Sequence, residues 1–333
     1  MDWSKGFSAQ YYAALVDPGT WRSIDRLEIT GGSIKRVLSG LRQSADIDFV
    51  RFGEGERWIR IHLVAKQGNL SENVPLFTGL SSAPDDDIDG KYITNQVQMY
   101  SVLKPADDVL LQRGYYVPAG ADGARVIMEL LSVSPAPVII EGTSPALASS
   151  IIAEDGESCL SMAERVLTAI NWRLMIDGNG TITLCPKANE ISAVFDPLSN
   201  DMIEPQIKRT YDWYACPNVF RGLMDGSYAV ARDDDPDSPL STVSRGREIW
   251  KEESSCKLAE GESLPEYVTR RLKEEQQVSV LVSYDRRYDP VVNVSDLIQM
   301  RYPEQRITGR YQVTSQSIEL GYGARLSEEV ASV

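Results

Sequence analysis

Histidine and cysteine, the side chains that most often carry proton transfer, nucleophilic attack and metal binding, are scarce in this sequence. Its 333 residues include one histidine, His62, and four cysteines. A Ser-His-Asp or Cys-His mechanism would depend on His62 alone, and no G-x-S-x-G nucleophile motif accompanies it. The cysteines lack the C-x-x-C spacing of a zinc site, so reduced and mostly buried thiols are expected at Cys159, Cys185, Cys216 and Cys256. We therefore expect a protein that is not an enzyme, with no catalytic residue, no cofactor and no bound metal.

Long apolar runs are also missing. No stretch approaches the ~18 consecutive apolar residues that a membrane-spanning helix needs. The first residues include Asp2 and Lys5, where a secretory signal would have a basic segment followed by an apolar core. We expect a chain that has no membrane span and is made in the cytoplasm.

Positive charge is in short supply as well. Lys and Arg total 34 against 48 for Asp and Glu, which gives a formal net charge of -14. Proteins that read nucleic-acid sequences rely on cations at the phosphates, so that class is excluded. An acidic surface instead suits a protein that a polyanion passes without adhering. The 42% of hydrophobic residues is typical of a globular chain, and 333 residues leave room for about two to three domains.

Residues 1–105 have the pattern of an all-β domain. Short runs in which apolar and polar residues alternate recur at regular spacing, for example at 45–52, 57–65 and 74–80. No window of ~20 residues has the 3.6-residue period of a long helix. This pattern predicts a barrel or a sandwich.

Residues 106–190 are predicted to form a small α+β unit. Asp122 is placed as the N-cap of an amphipathic helix, and a second helix is expected to begin near Ser158. Two β-prone runs flank the Asp-Gly-Asn-Gly sequence at 177–180, which predicts a hairpin because those residues tolerate positive φ.

Residues 191–333 return to a β pattern. The polar segment 231–247 is interrupted by prolines and predicts a long exposed loop. Ser263 and Glu266 form a capping box, which predicts a helix over 264–277. A strand is expected at 291–294, and the residues after Gly323 are expected to be a short acidic tail.

Two acidic or aromatic patterns could serve a ligand. The sequence from Asp85 to Gly90 matches the start of a calcium loop, but its twelfth position is Gln96, so an acidic turn between strands is the preferred interpretation. The aromatic cluster Tyr211, Trp213 and Tyr214 could be a sugar platform. A carbohydrate-binding or hydrolysing β protein that uses Trp213 and paired acids is therefore the alternative function.

The order of segments, β domain, small α+β unit and β domain, resembles the hub proteins of phage tails over nearly the whole chain. It is most similar to the XkdQ group of PBSX-like defective prophages, related to myovirus baseplate hubs and siphophage tail-associated proteins. The patches that carry the resemblance are 29–34, 39–48, 160–180 with Trp172 and Asp177, 217–220, and 235–247. One departure is Ser295-Asp296, where Gly-Asp is expected.

The resemblance implies two tube-forming β-barrel domains, at 1–105 and 191–333, flanking the small domain at 106–190. It implies a homotrimer whose pseudo-sixfold ring joins the tail tube, or a distal tail protein, to a central spike. Such a chain is made in the bacterial cytoplasm and resides in the tail of a virion or phage-like particle. No hydrolase or receptor-binding extension is expected after the second barrel. We expect acidic side chains along the lumen, through which DNA or a tape-measure protein could pass without specific binding.

The segment 231–247 is the predicted contact with a neighbouring subunit or tail component. It offers both signs of charge for pairing across an interface, namely Asp233, Asp235, Asp237, Arg245 and Arg247. Because exposed arginines contribute little to folding, charge reversal at the two arginines is expected to impair assembly and leave the monomer folded.

Overall fold

The structure is a computed structural model of the whole chain. It describes residues 1–89, 92–187, 190–198, 202–211, 213–214, 216–224, 226–254, 256, 263–276 and 280–333. Strands hold 49% of the residues and helices 13%, so the predicted class, α+β and mainly β, is confirmed.

The helices and strands are numbered in chain order. The strands are β1 (Ser8–Val16), β2 (Ser23–Leu27), β3 (Ile29–Val37), β4 (Gln43–Phe49), β5 (Trp58–Gln67), β6 (Leu70–Ser81), β7 (Asp85–Asp89), β8 (Tyr92–Ser101), β9 (Tyr116–Val117), β10 (Val138–Ile140), β11 (Ile151–Ile152), β12 (Trp172–Ile176), β13 (Ile182–Pro186), β14 (Ile191–Phe195), β15 (Ile203–Tyr211), β16 (Val219–Met224), β17 (Ser227–Arg232), β18 (Trp250–Ser254), β19 (Val280–Arg287), β20 (Leu297–Tyr302), β21 (Ile307–Glu319) and β22 (Arg325–Ser332). The helices are α1 (Lys104–Asp108), α2 (Gly123–Leu131), α3 (Cys159–Ala169), α4 (Thr242–Arg245) and α5 (Leu264–Glu275).

Fourteen strands form one large sheet. Its order is β15-β19-β22-β21-β3-β4-β8-β6-β5-β1-β2, with β20 beside β21, β14 beside β20 and β7 beside β8. Strands that are far apart in sequence are therefore neighbours, and Ile34 of β3 lies opposite Ile318 of β21. Among the described strands the sheets are open, and no closed barrel forms within the chain.

Alternating apolar residues build the core of this sheet. On β5, Ile59, Ile61 and Leu63 are fully buried, whereas His62 between them is half-buried. Because side chains alternate between the two faces of a strand, this period of two directs one face to the core. The same core takes apolar residues from both ends of the sequence, including Ile34, Ile47, Phe77, Ile318 and Leu326.

The residues predicted to be an acidic tail form the buried strand β22. Glu328 is fully buried, and its carboxylate pairs with the buried guanidinium of Arg286 at 2.9 Å. It also accepts hydrogen bonds from the Tyr284 hydroxyl at 2.6 Å and from Gln316 Nε2 at 2.7 Å. A buried carboxylate needs such donors. The prediction of an acidic tail is therefore wrong, because the donors that make burial of Glu328 possible come from other strands.

The predicted strand at 291–294 is a turn instead. Its backbone is held by Asp296, whose carboxylate accepts the N–H of Asn293 at 3.0 Å and pairs with Arg173 at 3.1 Å. The residue before it, Ser295, has a φ of 78°, in the left-handed region that favours glycine. This backbone explains why Gly-Asp is the expected sequence at 295–296.

The segment from 106 to 187 contains the predicted α+β structure. Asp122 caps α2 by accepting the N–H of Arg125, and Ser158 caps α3 by accepting the N–H of Ser161. Strands β12 and β13 pair as the predicted antiparallel hairpin, and β10 adds to β13 in parallel. Both helices pack apolar faces into a core that includes Ile127, Leu131, Met162 and Val166.

The turn of this hairpin is fixed to the large sheet through its backbone carbonyls. Asn179 O accepts hydrogen bonds from Arg60 and from the Trp21 indole, each at 2.9 Å, and Gly178 O accepts one from Thr78 at 2.8 Å. Gly178 is required because a Cβ there would lie 1.8 Å from the carbonyl oxygen of Pro75. The close approach of two backbones therefore joins the α+β segment to β6.

The chain forms two compact units, residues 1–207 with 283–330 and residues 208–282 with 331–333. In the second unit, β17, β16 and β18 form a three-stranded sheet in that order. Helix α5 packs on it through Tyr267, Val268 and Leu272, and the capping box of Ser263 and Glu266 is present. The helix ends at Glu275, two residues before its predicted end at 277, a residue that lies outside the described part of the chain.

The division into a barrel domain at 1–105, a small α+β domain at 106–190 and a second barrel domain at 191–333 stays a prediction. Within the described ranges, no helix is long and apolar enough to cross a membrane.

Candidate interaction surfaces

The acidic half of the predicted contact segment is held by local hydrogen bonds. Asp233 accepts the Ser238 hydroxyl at 2.7 Å and the Gln276 amide at 3.0 Å. The N–H of Asp237 donates to the Asp235 carboxylate at 2.9 Å, while both side chains are exposed. These turns, in which Asp side chains bind nearby backbone, order the segment and leave Asp237 facing solvent.

The arginine half binds backbone carbonyls rather than the acids. Arg245 donates to the carbonyl oxygens of Cys216, Trp213 and Tyr214 at 2.7, 2.6 and 3.1 Å. Arg247 donates to the Tyr214 carbonyl at 3.2 Å, and its guanidinium lies 4.5 Å from the centre of that ring. Arg245 is therefore a structural residue of this unit, which reversing its charge would disturb.

The segment 231–247 is consequently less loop-like than its composition predicts. Its first two residues end β17, and residues 242–245 form α4, whose N-cap Ser241 is fully buried. Gly246 ends α4 in the left-handed conformation that commonly terminates helices. The five predicted contact residues lie along one ordered segment, and whether they touch a neighbour stays a prediction.

An exposed aromatic patch lies against these arginines and consists of Tyr211, Trp213 and Tyr214. Their exposed fractions are 42%, 44% and 76%. The rings of Tyr211 and Trp213 have centroids 5.5 Å apart, and the guanidinium of Arg209 lies 5.1 Å from the Tyr211 ring. Exposed aromatic rings beside guanidinium groups are typical of protein contacts and sugar platforms alike.

One face of the three-stranded sheet is also exposed. Helix α5 covers the face with Phe220 and Ala231, whereas Tyr228 and Trp250 on the other face are 71% and 50% exposed. Sequence periodicity did not single out this face, because β17 and β18 mix apolar and charged residues.

The main strand order of the large sheet has an exposed strand at each end. β2 lies at one end of the strand order and β15 at the other. Every residue of β2 except Leu27 is exposed, including Ile24 at 66%. Seven of the nine residues of β15 are exposed as well. Open strand edges of this kind are ready to pair with another chain.

The side chains considered for catalysis and metal binding lie in structural positions. His62 stacks on Tyr12 with ring centroids 4.6 Å apart, and burial lowers the pKa of its imidazole. The four cysteines are buried and form no disulfide, as predicted. Within the described residues, no group of three His, Cys, Asp or Glu side chains is arranged to hold a metal ion.

The described part of the acidic sequence, residues 85–89, is not a turn. Residues Asp85–Asp89 form β7, which pairs with β8 so that Asp85 lies opposite Gln96. Gly90, the glycine that the calcium-loop motif requires, lies outside the described residues. The extended backbone of β7 differs from the tight loop that would converge alternate carboxylates on an ion.

Comparison with known proteins finds similarity at the level of the fold. No protein-family model and no curated protein sequence matches this chain.

The 43 kDa tail protein of prophage MuSo2 from Shewanella oneidensis is 13% identical with a TM-score of 0.68, and 98% of each chain is covered. The tail protein from Neisseria meningitidis MC58 is 10% identical with a TM-score of 0.67, covering 97% of this chain and 96% of the other. The prophage tail protein gp18 from Listeria monocytogenes EGD-e is 9% identical with a TM-score of 0.55, covering 99% and 95%. The chain therefore has the fold of these tail proteins along its whole length.

Proposed function

We propose that the protein is a structural component of a phage or phage-like tail. The observation that carries this proposal is the match in fold to two prophage tail proteins and a bacterial tail protein along nearly the full length of each chain. The single histidine and the few cysteines of the sequence support a structural role over an enzymatic one.

More specifically, we propose the baseplate or tail-tip hub of the XkdQ group. Three copies would form a pseudo-sixfold ring between the tail tube, or a distal tail protein, and the central spike of a contractile injection system. The exposed strands β2 and β15 support this role, because an open sheet removes its edges by pairing with neighbouring chains. Head-to-tail contacts of that kind generate closed rings when the rotation closes.

Mass measurement and electron microscopy of the purified chain test the ring. Three chains of 37.0 kDa give about 111 kDa by light scattering, and negative-stain images should show rings. A chain that stays monomeric in the presence of its spike and tube partners would contradict the hub proposal.

The net charge of -14 supports a ring with an acidic lumen. Carboxylates there would repel DNA, or an acidic tape-measure protein, and so let it slide. A reconstruction of the ring with arginines lining the lumen would rule this out.

The contact segment is proposed to bind a neighbouring subunit or tail component through Asp233, Asp235, Asp237, Arg245 and Arg247. Because Arg245 holds three carbonyls of its own unit, Asp237 is the better probe of contact. Asp237→Lys should leave the thermal unfolding of the monomer unchanged and reduce ring formation, with Glu56→Lys as the exposed control. Normal assembly of Asp237→Lys at physiological salt would show that the segment is not an interface.

Carbohydrate binding is the second candidate, because Trp213 and Tyr211 form an exposed pair of rings. A polysaccharide pull-down with wild type and Trp213→Ala distinguishes it. Retention that is lost in Trp213→Ala would favour the sugar platform, and no retention would leave the tail role alone.

A further inference from the structure

A cavity of about 280 Å³ lies between β3, β4, the β12–β13 hairpin and the segment 288–295. Its size is near the lower limit of small-molecule sites. Tyr288, Asn293 and Asn179 contribute polar groups to its wall, and Val74 and Leu174 contribute apolar ones. The cavity lies within the compact unit formed by residues 1–207 and 283–330.

Two buried side chains in the wall each carry a hydrogen-bonding atom without a partner in the described part of the chain. Arg36 is 7% exposed and Gln43 is 5% exposed. Arg36 Nε, a donor, and Gln43 Oε1, an acceptor, make no hydrogen bond. Each group has another nitrogen that is bonded, since Arg36 Nη2 donates to Leu76 O at 2.6 Å and Gln43 Nε2 donates to Ile176 O at 2.8 Å. These contacts fix the orientation of both planar groups.

The two residues that carry this donor and this acceptor are neighbours in the sheet. Arg36 on β3 lies directly opposite Gln43 on β4 in the antiparallel pair. Residues opposite one another in such a pair project from the same face of the sheet. One ligand could therefore engage both groups.

The charged residues around the cavity indicate the charge of such a ligand. Arg42, which also lines the cavity, pairs with Glu164 at 3.3 Å, and the Asp177 carboxylate accepts the N–H of Thr181 at 2.8 Å. Arg36 has no carboxylate partner among the described residues. Because a buried charge is costly unless it is paired, the guanidinium of Arg36 favours an anionic ligand.

We propose that this cavity binds a carboxylate with an adjacent N–H group, such as an acylated amino acid or the C-terminal residue of a peptide. The carboxylate accepts the Nε–H of Arg36, and the N–H donates to Oε1 of Gln43. A planar guanidinium suits a carboxylate because charge-assisted hydrogen bonds are the stronger class. This site does not depend on ring assembly.

Calorimetric titration of the full chain with three probes tests the proposal. N-acetylglycine has both groups, acetate lacks the N–H, and N-acetylglycinamide lacks the charge. We expect saturable binding of N-acetylglycine in the millimolar range, weaker binding of acetate and no binding of the amide. Equal binding of the amide, or no binding of N-acetylglycine, would overturn the proposal.

Variants assign the binding to these residues. Arg36→Lys keeps the charge but removes Nε–H, so its affinity for N-acetylglycine should fall about tenfold, whereas exposed Arg51→Lys should bind like wild type. Unchanged affinity in Arg36→Lys would contradict the assignment. If that variant does not fold, the three-probe comparison on wild type still decides.

A longer probe separates the two sources of the ligand. An acetylated tripeptide that ends in glycine should bind as tightly as N-acetylglycine if the site takes a chain end. Exclusion of the tripeptide, with N-acetylglycine still bound, would support a free acyl amino acid.

Discussion

Ser295 shows how one backbone angle determines which residue suits a position. Its φ of 78° is strained for any side chain with a Cβ, and the Ser295 carbonyl accepts hydrogen bonds from Arg173 and Gln312, each at 3.4 Å. The backbone is therefore held in this conformation although serine does not favour it.

We predict that Ser295→Gly stabilises the protein. Relief of the left-handed strain outweighs the extra entropy of glycine in the unfolded chain, so the free energy of unfolding should rise by up to about 1 kcal/mol. Urea unfolding measures the change. Ser295→Ala, which keeps the Cβ, should give no gain, and equal effects of the two substitutions would contradict this explanation.

Glu328, in contrast, is determined by its contacts with other residues, because its carboxylate is buried only together with the donors that bind it. Replacement by glutamine leaves Arg286 charged, fully buried and without the carboxylate that pairs with it. We predict that Glu328→Gln lowers the free energy of unfolding by about 3–5 kcal/mol. The neighbouring half-buried Glu329→Gln should change it by less than about 1 kcal/mol.

A double variant tests whether the stability lost in Glu328→Gln comes from leaving the charge of Arg286 unpaired. Arg286→Met with Glu328→Leu removes both charges and should recover much of the lost stability, because apolar groups can replace a buried ion pair. A double variant as unstable as Glu328→Gln would show that the hydrogen bonds Glu328 accepts from Tyr284 and Gln316 matter more than its charge.

Among the elements, the hairpin turn at 177–180 depends on close backbone packing. We predict that Gly178→Ala destabilises the chain by about 1–3 kcal/mol, because its Cβ would overlap the Pro75 carbonyl. Thermal unfolding measures the loss. Gly6→Ala, where nothing lies within 4 Å, is the control and should change little.

Helix α5 and β18 are linked by an ionisable contact that makes their packing pH-dependent. The Glu253 carboxylate accepts hydrogen bonds from the Tyr267 hydroxyl at 2.5 Å and from Arg271 at 3.2 Å, and these donors lower the pKa of Glu253. Because the carboxyl pKa is lower in the folded protein, the ionised Glu253 stabilises the fold at pH values above its unfolded pKa of about 4.5. This contribution to stability is lost as the pH falls below 4.5 and through the lowered pKa of the folded state.

We therefore predict that acid weakens the unit formed by residues 208–282. Its protection against hydrogen exchange, corrected for the intrinsic pH dependence of the amide exchange rate, should fall below about pH 4.5 in wild type and depend less on pH in Glu253→Gln. An identical pH profile for both proteins would assign the acid sensitivity to other carboxylates.

Elements with local signals could be predicted from the sequence, and those with distant partners could not. Asp122, Ser158 and Ser263 mark their helices because a cap is a contact between near neighbours in the chain. Strand β22 resembles a tail because the partner of Glu328 is 42 residues away. The contact segment was found by composition, but the carbonyls that Arg245 binds lie about 30 residues earlier.

For the whole molecule, ordered patches of sequence predicted a tail-protein fold that is shared at only 13% identity. The mainly β class followed from periodicity. The strand order did not, because nothing in a repeating pattern of alternate apolar residues states which strand lies beside which. Joining β3 to β21 makes one sheet where two separate barrels were expected.

That joining also governs how the chain can acquire its structure. Ser33 pairs with Glu319, so the central ladder of the sheet cannot close until most of the polypeptide has left the ribosome. Contacts between such distant residues carry a large loop-closure entropy and slow the folding of β proteins. Until then β3 presents unpaired amide and carbonyl groups, which makes the nascent chain prone to aggregate. We expect refolding to be slow, with yields that fall as protein concentration rises.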